Sequence, residues 1–187
     1  MGFTPRTDIP IYQAALSPAM LRVAGEIADG VILWACPSDY VRDVVVPEVT
    51  AGRERANEPL NGFEILAAVP SAVTADRATA LAGVRAELHR YFGLPFYRAM
   101  FEAAGFGGEL AAYDAAAPDV EAQKLAISEQ FIDHLCAIGD DDAVVRGVQR
   151  YRDAGVTNPV LTAIAGTDYT GTLRAAAPAA IAGSTRR

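Results

Sequence analysis

The run Asp8-Ile9-Pro10-Ile11-Tyr12-Gln13-Ala14-Ala15-Leu16-Ser17-Pro18-Ala19-Met20-Leu21, continuing to Gly25-Glu26-Ile27-Ala28-Asp29-Gly30-Val31-Ile32-Leu33, decides how this chain folds. Residues 9–15 form a short apolar run with Tyr and Ile, bounded by Pro and Ser, and read as a buried strand. Ser17-Pro18 is a helix start: the Ser hydroxyl caps free N–H groups and Pro suits the first helical position. Met20, Leu21, Val23, Ala24, Ile27 and Ala28 then recur at helical spacing. Asp29-Gly30 ends the helix, and residues 31–34 read as a second buried strand. Strand, tight loop, helix, strand is the repeating unit of a parallel α/β sheet.

The rest of the chain repeats the unit. The loop Ala35-Cys36-Pro37-Ser38 leads to a helix over about 39–56, with a kink or break expected at Pro47. Residues 57–62 form a polar turn, and 63–73 a third strand with Pro70 near its end. Thr74-Ala75-Asp76 caps a long helix over 76–92, which Gly93-Leu94-Pro95 breaks. Residues 95–129 differ in texture. Phe96, Tyr97, Met100 and Phe101 fall at helical spacing, Gly105-Phe106-Gly107-Gly108 makes a flexible turn, and Ala-rich helical pieces follow, together an inserted helical segment. Residues 130–138 read as helix. Asp140-Asp141-Asp142 form an acidic helix start, favoured by the dipole, for a helix over 143–154. Residues 158–165 are a fourth strand, Gly166-Thr167-Asp168 its loop, 170–182 a last helix and 183–187 a tail. The expected fold is α/β, one domain over 1–187: four parallel β/α units, a partial TIM-type barrel, with the helical insert at about 95–129. A complete barrel has eight such units in roughly 250 residues.

Composition narrows the function. The 187 residues are 51% apolar and 21% charged, an ordinary globular balance. The net charge of −7 argues against a nucleic-acid-binding surface, which needs clustered cations. No apolar run approaches the roughly 20 residues of a membrane span. No basic segment leads into an apolar core at the start, so a soluble cytoplasmic protein is expected. Cys36 and Cys136 have no metal-ligand spacing and read as two reduced, buried thiols. His89 and His134 sit in amphipathic helices without ligand partners at metal-binding spacing, so no metal site is expected. There is neither a Gly-x-Ser-x-Gly elbow nor a Gly-rich Walker loop.

The pattern I-P-I-Y-x-A-A-L-x-P-x-M-L-x-x-A-G-E-I-A-D-G-V over 9–31 resembles the luciferase-like monooxygenase superfamily, and within it the branch that uses the deazaflavin coenzyme F420. Three further stretches agree in order and spacing. Phe63-Glu64-Ile65-Leu66-Ala67-Ala68-Val69-Pro70 with Ala75-Asp76-Arg77 is similar to the family's seventh strand and helix. Tyr91-Phe92-Gly93-Leu94-Pro95-Phe96-Tyr97 and Ala103-Ala104-Gly105-Phe106 resemble its helical insert. Ile138-Gly139-Asp140 through Tyr151-Arg152-Asp153-Ala154-Gly155-Val156 is similar to the closing helix before strand eight. The resemblance thus implies the C-terminal half of a barrel, beginning at the fifth strand.

It also implies a cofactor, F420 or alternatively FMN, whose phosphate lies beside the loop after strand five. That loop is Ala14-Ala15-Leu16-Ser17-Pro18-Ala19, and a helix N-terminus there makes an anion site. Ser17 stands where the family usually has Gly, and a simple cap explains Ser17-Pro18 equally well. Barrel sites lie at carboxyl ends of strands, which singles out Trp34 as a wall for a flat ring, or as a Trp packed under the insert. It also singles out Pro70-Ser71 and Gly166-Thr167-Asp168. Glu26 and Asp29 read as structural. In the family the groups that meet the reacting ring come mainly from strands one to four, so no catalytic acid or base is assigned. The implied reaction is hydride transfer between reduced cofactor and a small organic substrate, or monooxygenation with FMN and oxygen. An open half-barrel exposes strand edges and an apolar face, so a homodimer or a complementing N-terminal half-barrel chain is expected. The second reading is a non-catalytic cofactor-binding or structural module derived from the family.

Overall fold

A computed structural model describes residues 8–176. The first unit is β1 (Tyr12–Ala14), α1 (Pro18–Ile27) and β2 (Gly30–Leu33). Its local signals act as expected. Ser17 caps α1 by accepting from the Met20 N–H at 3.4 Å, and Pro18 opens the helix. Asp29 closes the unit: its carboxylate accepts from the Ile11 N–H at 2.7 Å, and its own N–H donates to the Ile11 carbonyl at 2.9 Å. A carboxylate at a helix end that satisfies backbone donors is local structural work.

The expected helix over 39–56 arrives in three pieces: α2 (Ser38–Tyr40), a wide π turn over Val41–Val45, and α3 (Val46–Arg55). The irregularity lies just before Pro47, so the extra residue in the turn relieves the clash that a proline ring makes with the preceding turn. α3 packs on α1 through two glycines. A Cβ on Gly25 would run into the Val49 carbonyl oxygen, and one on Gly52 into the Arg22 carbonyl oxygen. The two backbones therefore approach in a way only glycine allows.

The third strand, β3 (Glu64–Val73), is the spine of the sheet. β2 pairs with its first half, Gly30 opposite Glu64 through Leu33 opposite Ala67. β5 (Asn158–Ala163) pairs with it from Leu66 to Ser71. A short strand, β4 (Ala137–Gly139), pairs with Ser71–Val73. Leu66 and Ala67 have partners in both β2 and β5, and Ser71 has partners in both β4 and β5. β2 and β4 therefore share one edge of β3, one after the other, and β5 takes the other edge. Pro70 falls between the end of β2 pairing and the start of β4 pairing, where a missing N–H costs no ladder bond. All pairings are parallel.

The α/β class and the parallel half-barrel order are as the sequence predicts, with two corrections. The first strand, expected to be buried over 9–15, spans only Tyr12–Ala14 at the edge of the sheet, with Ile9 and Ile11 exposed, because it has a partner only in β2. Among the described residues the sheet has five strands, not four: residues 137–139 are β4, where a helix over 130–138 was expected. That helix, α8 (Glu129–Leu135), stops at Cys136, and the chain straightens beside the free upper edge of β3. Three residues are too few to show a strand's alternation.

Between β3 and β4 lie five helices: α4 (Arg77–Phe92), α5 (Pro95–Ala103), α6 (Gly107–Ala115), α7 (Val120–Ala126) and α8. The stretch expected as the insert, 95–129, holds α5 to α7. Their core is aromatic: Phe92, Phe101 and Phe131 meet with ring centroids 5.0–5.3 Å apart, in the tilted and edge-on geometries that aromatic quadrupoles favour. The crossover from β4 to β5 is α9 (Asp141–Asp153), capped by the Asp140 carboxylate on the Ala143 N–H at 2.8 Å. α10 (Tyr169–Ala176) packs on α9 and β3; the rest of the helix expected over 170–182, and the tail, lie outside the described residues.

The two faces of the sheet differ. Val31, Leu33, Ile65, Ala67 and Val69 are buried. The alternate positions include Ala14, Ile32 and Val160, with Ile32 and Val160 each 44% exposed. Successive side chains point to opposite faces, so one face is the packed core and the other is open and largely apolar, with Glu64, Asn158 and Thr162 as its polar positions. No helix among the described residues is long and apolar enough to cross a membrane.

Candidate functional site

The loop from β1 to α1 and the position after β2 carry the residues expected to hold a cofactor. Ala14, Ser17 and Ala19 are exposed, Leu16 is half-buried and Ala15 is buried. Tyr40 pins the loop from below, its hydroxyl donating to the Leu16 carbonyl at 2.8 Å. Burial and nearby acidic groups push the Tyr40 hydroxyl up to about 12, so it stays a donor at physiological pH. Leu16, Ser17 and Pro18 line a groove with Val44, Phe96 and Met100.

The donors in that groove are few. The Ser17 Oγ accepts from Met20, which leaves its own proton free to donate. The Ala19 N–H, in the first turn of α1, has no intrahelical partner. No cation stands in the first turn, Pro18-Ala19-Met20-Leu21. These residues fit one edge of a phosphate site, offering a hydroxyl, a backbone N–H and the positive end of a helix, without a charge to neutralise the anion.

Trp34 sits elsewhere. It is half-buried just past β2, its ring 6.1 Å from that of Tyr91, which in turn meets Tyr97 of α5 in a tilted pair at 4.7 Å. It lines a cleft of about 30 Å³ with Pro70, Leu88, Leu135, Thr162 and Ile164. The structure therefore places Trp34 and the 14–19 loop in two different clefts. The rings of Tyr91 and Tyr97 carry the contact from Trp34 to α5, whose Phe96 and Met100 line the loop's groove.

The other positions at strand ends serve the fold. Ser71 is buried and donates to the Val69 carbonyl at 2.8 Å. The Asp168 carboxylate accepts from the Gly171 N–H at 3.1 Å, and the Thr167 hydroxyl donates to the Ile164 carbonyl at 2.8 Å. His89 Nδ1 meets the Tyr113 hydroxyl at 2.7 Å, and His134 Nδ1 meets the Asp39 carboxylate at 3.0 Å. Among the described residues no group of three His, Cys, Asp or Glu could hold a metal ion. Cys36 and Cys136 are free and buried, and burial pushes both thiols well above their ordinary value, away from the reactive thiolate.

Thr162 is the residue that sequence reading missed. The signal was positional: Thr162 pairs with Pro70 across β3 and β5, near the carboxyl ends of both. Its hydroxyl and the Trp34 Nε1 are both buried without a hydrogen-bond partner.

A parallel half-barrel with a helical cover over its carboxyl end is the geometry that comparison with known proteins bears on. The family model described as luciferase-like monooxygenase matches residues 2–158. This chain belongs to the luciferase-like monooxygenase family. The chain is similar to the 5,10-methylenetetrahydromethanopterin reductase of Methanopyrus kandleri, 30% identical over 166 residues, which are 87% of this chain and 47% of that protein. The solved structure of the coenzyme F420-dependent tetrahydromethanopterin reductase from Methanopyrus kandleri superposes with a TM-score of 0.67 at 27% identity, over 84% of this chain and 45% of that one. An F420-dependent secondary alcohol dehydrogenase, solved with an F420–acetone adduct, shares the fold at a TM-score of 0.64 and 17% identity, over 93% of this chain and 51% of that one. The chain thus spans about half the length of the relatives it matches. Within this luciferase-like chain, the loop at 14–19 and the cleft at Trp34 and Thr162 both lie at the carboxyl ends of parallel strands, the end where barrel enzymes keep their sites.

Proposed function

We propose that this luciferase-like chain forms the C-terminal half of an F420-dependent oxidoreductase, one that moves a hydride between the reduced deazaflavin and a small organic substrate. The observation that carries the reading is the sheet itself. One face is packed, while the other, with Ile32 and Val160 exposed, is built as a barrel interior. The loop at Ala14, Ala15, Leu16, Ser17 and Ala19 would take one edge of the cofactor's phosphate through the Ser17 hydroxyl and the Ala19 N–H. Trp34 would wall the ring side. When bound, the deazaflavin supplies the hydride chemistry, and the protein positions it. FMN, with oxygen as co-substrate, is the alternative cofactor of the same family. No residue of this chain is assigned as catalytic acid or base.

The open face asks for a cover. Ile9, Ile11, Met20, Val23 and Ile27 add exposed apolar surface on and beside the β1 edge. Exposed apolar residues gathered on one strand edge and its helix fit an interaction site. In our reading a second copy or a complementing N-terminal half-barrel seals it, and the assembly works in the cytoplasm. Light scattering behind size exclusion reads the copy number directly, and a lone monomer at micromolar concentration overturns self-association.

Calorimetric titration with F420, and separately with FMN, tests the cofactor claim. Saturable binding of F420 supports it, and preferential binding of FMN moves the chain to the flavin branch. Binding of neither, alone or with the covering half, leaves a structural module with the family's fold.

A further inference from the structure

Among the described residues, three buried side-chain polar atoms lack a hydrogen-bond partner: Trp34 Nε1, Thr162 Oγ1 and Arg150 Nε. Two of the three belong to one cleft. A buried donor or acceptor left unpaired costs about 1–3 kcal/mol, and such groups are rare enough in folded proteins that each calls for a missing partner. Trp34 stands one residue past β2 and Thr162 stands on β5, the two strands that flank β3, and Pro70 of β3 has no N–H to offer. Leu88 and Leu135 close the cleft from α4 and α8 with hydrocarbon. Thus the protein brings an indole N–H and a hydroxyl to one apolar space and gives neither a partner of its own.

We infer that this cleft is a binding subsite for the carbonyl or hydroxyl oxygen of a small, uncharged organic molecule. The oxygen would accept from Trp34 Nε1–H and exchange a second hydrogen bond with the Thr162 hydroxyl, which both donates and accepts. Neutral charge follows from the walls: no Arg, Lys or His lines the cleft, and Glu87 stands at it, so a carboxylate or phosphate would enter uncompensated. Small size follows from the space. About 30 Å³ is more than the 10–15 Å³ one water needs, enough for about two or three heavy atoms with the remainder of the molecule at the opening. Calling that molecule the substrate rests on the oxidoreductase reading above; its binding to the cleft does not.

Trp34 is the only tryptophan in the chain, so one indole N–H resonance in a nitrogen–proton correlation spectrum reports on this site alone. Titration of the isolated protein, without any cofactor, with 2-propanol and in parallel with acetate is the test. The expected result is a saturable shift of the indole signal with 2-propanol and none with acetate. Thr162→Val should weaken the 2-propanol response about tenfold, the worth of one neutral hydrogen bond at the upper end of its range, while Thr162→Ser keeps it. The indole signal also checks that each variant is folded, because an unfolded chain moves it to the random-coil position. A shift that never saturates, an equal response to acetate, or an unchanged response in folded Thr162→Val overturns the subsite. Failure here leaves F420 titration free to succeed, and failure of F420 binding leaves this result standing.

Discussion

The Tyr12 hydroxyl donates to the Glu64 carboxylate at 2.5 Å, spanning from β1 to β3 over the strand between them. What lies beneath the bridge is Gly30 of β2. A Cβ there would collide with the Tyr12 ring and come within 2.6 Å of the Glu64 carbonyl oxygen. Three strands are thus tied at their amino ends by one aromatic side chain that needs a glycine under it.

Gly30→Ala should therefore destabilise the protein although alanine is an otherwise ordinary strand residue. Overpacking against a backbone carbonyl costs about 1–3 kcal/mol, and a urea unfolding curve reads it. An unchanged midpoint would mean that the Tyr12 ring swings aside freely.

The same bridge has a pH signature. The hydrogen bond to Glu64, then desolvation and the Glu64 charge, raise the Tyr12 hydroxyl above its ordinary value of 10.0. A proton held more tightly in the folded state stabilises fully below the unfolded value and is lost as pH rises through the folded one. The stability difference between the natural protein and Tyr12→Phe should stay level from neutral pH to about pH 10 and shrink above it. Unfolding at a series of pH values checks this, and a difference that grows with alkalinity contradicts it.

Tyr151 is the internal counterpart. Fully buried in α9, its hydroxyl lies 3.0 Å from the Cys36 carbonyl and 2.9 Å from the Leu135 carbonyl. It thus ties the exit of β2 to the end of α8. Tyr151→Phe keeps the ring and strands those carbonyls, a loss of about 1–3 kcal/mol. Thermal unfolding of the variant should show a lower midpoint, with native helix content retained below it.

Ser17 separates two roles by substitution. As a cap, Ser17→Ala should cost about 1 kcal/mol of stability and Ser17→Gly only a few tenths. As part of a phosphate edge, Ser17→Gly should bind F420 at least as tightly as the natural protein, because the backbone becomes more approachable, whereas Ser17→Ala should bind more weakly. Equal F420 affinity in all three proteins would assign Ser17 to capping alone.

Much of this was legible from residue patterns. The unit from Ile9 to Leu33 declares its strand, cap, helix and turn because each signal is local, and Asp76 and Asp140 cap α4 and α9 for the same reason. β4 was not legible: Ala137-Ile138-Gly139 continues the apolar spacing of α8, and only the vacant upper edge of β3 turns it into a strand. The π turn before Pro47 was legible as an irregularity but not in form, since a widened turn and a break look alike in sequence. Thr162 was invisible as a site residue because its missing partner is a property of the packed cleft, not of its neighbours in the chain.

β3 takes β2 and β4 on one edge and β5 on the other, so β2, β4 and β5 are joined to one another only through this strand. This has a consequence for the order of assembly. β1, α1 and β2 are neighbours in the chain and can form a unit early, whereas Thr157 reaches Ile65 across 92 residues, a closure that must wait for the six intervening helices, α4 to α9, to compact. The amides of β3 should exchange with solvent last, and the ladder to β5, the most distant in sequence, should be the final one to zip.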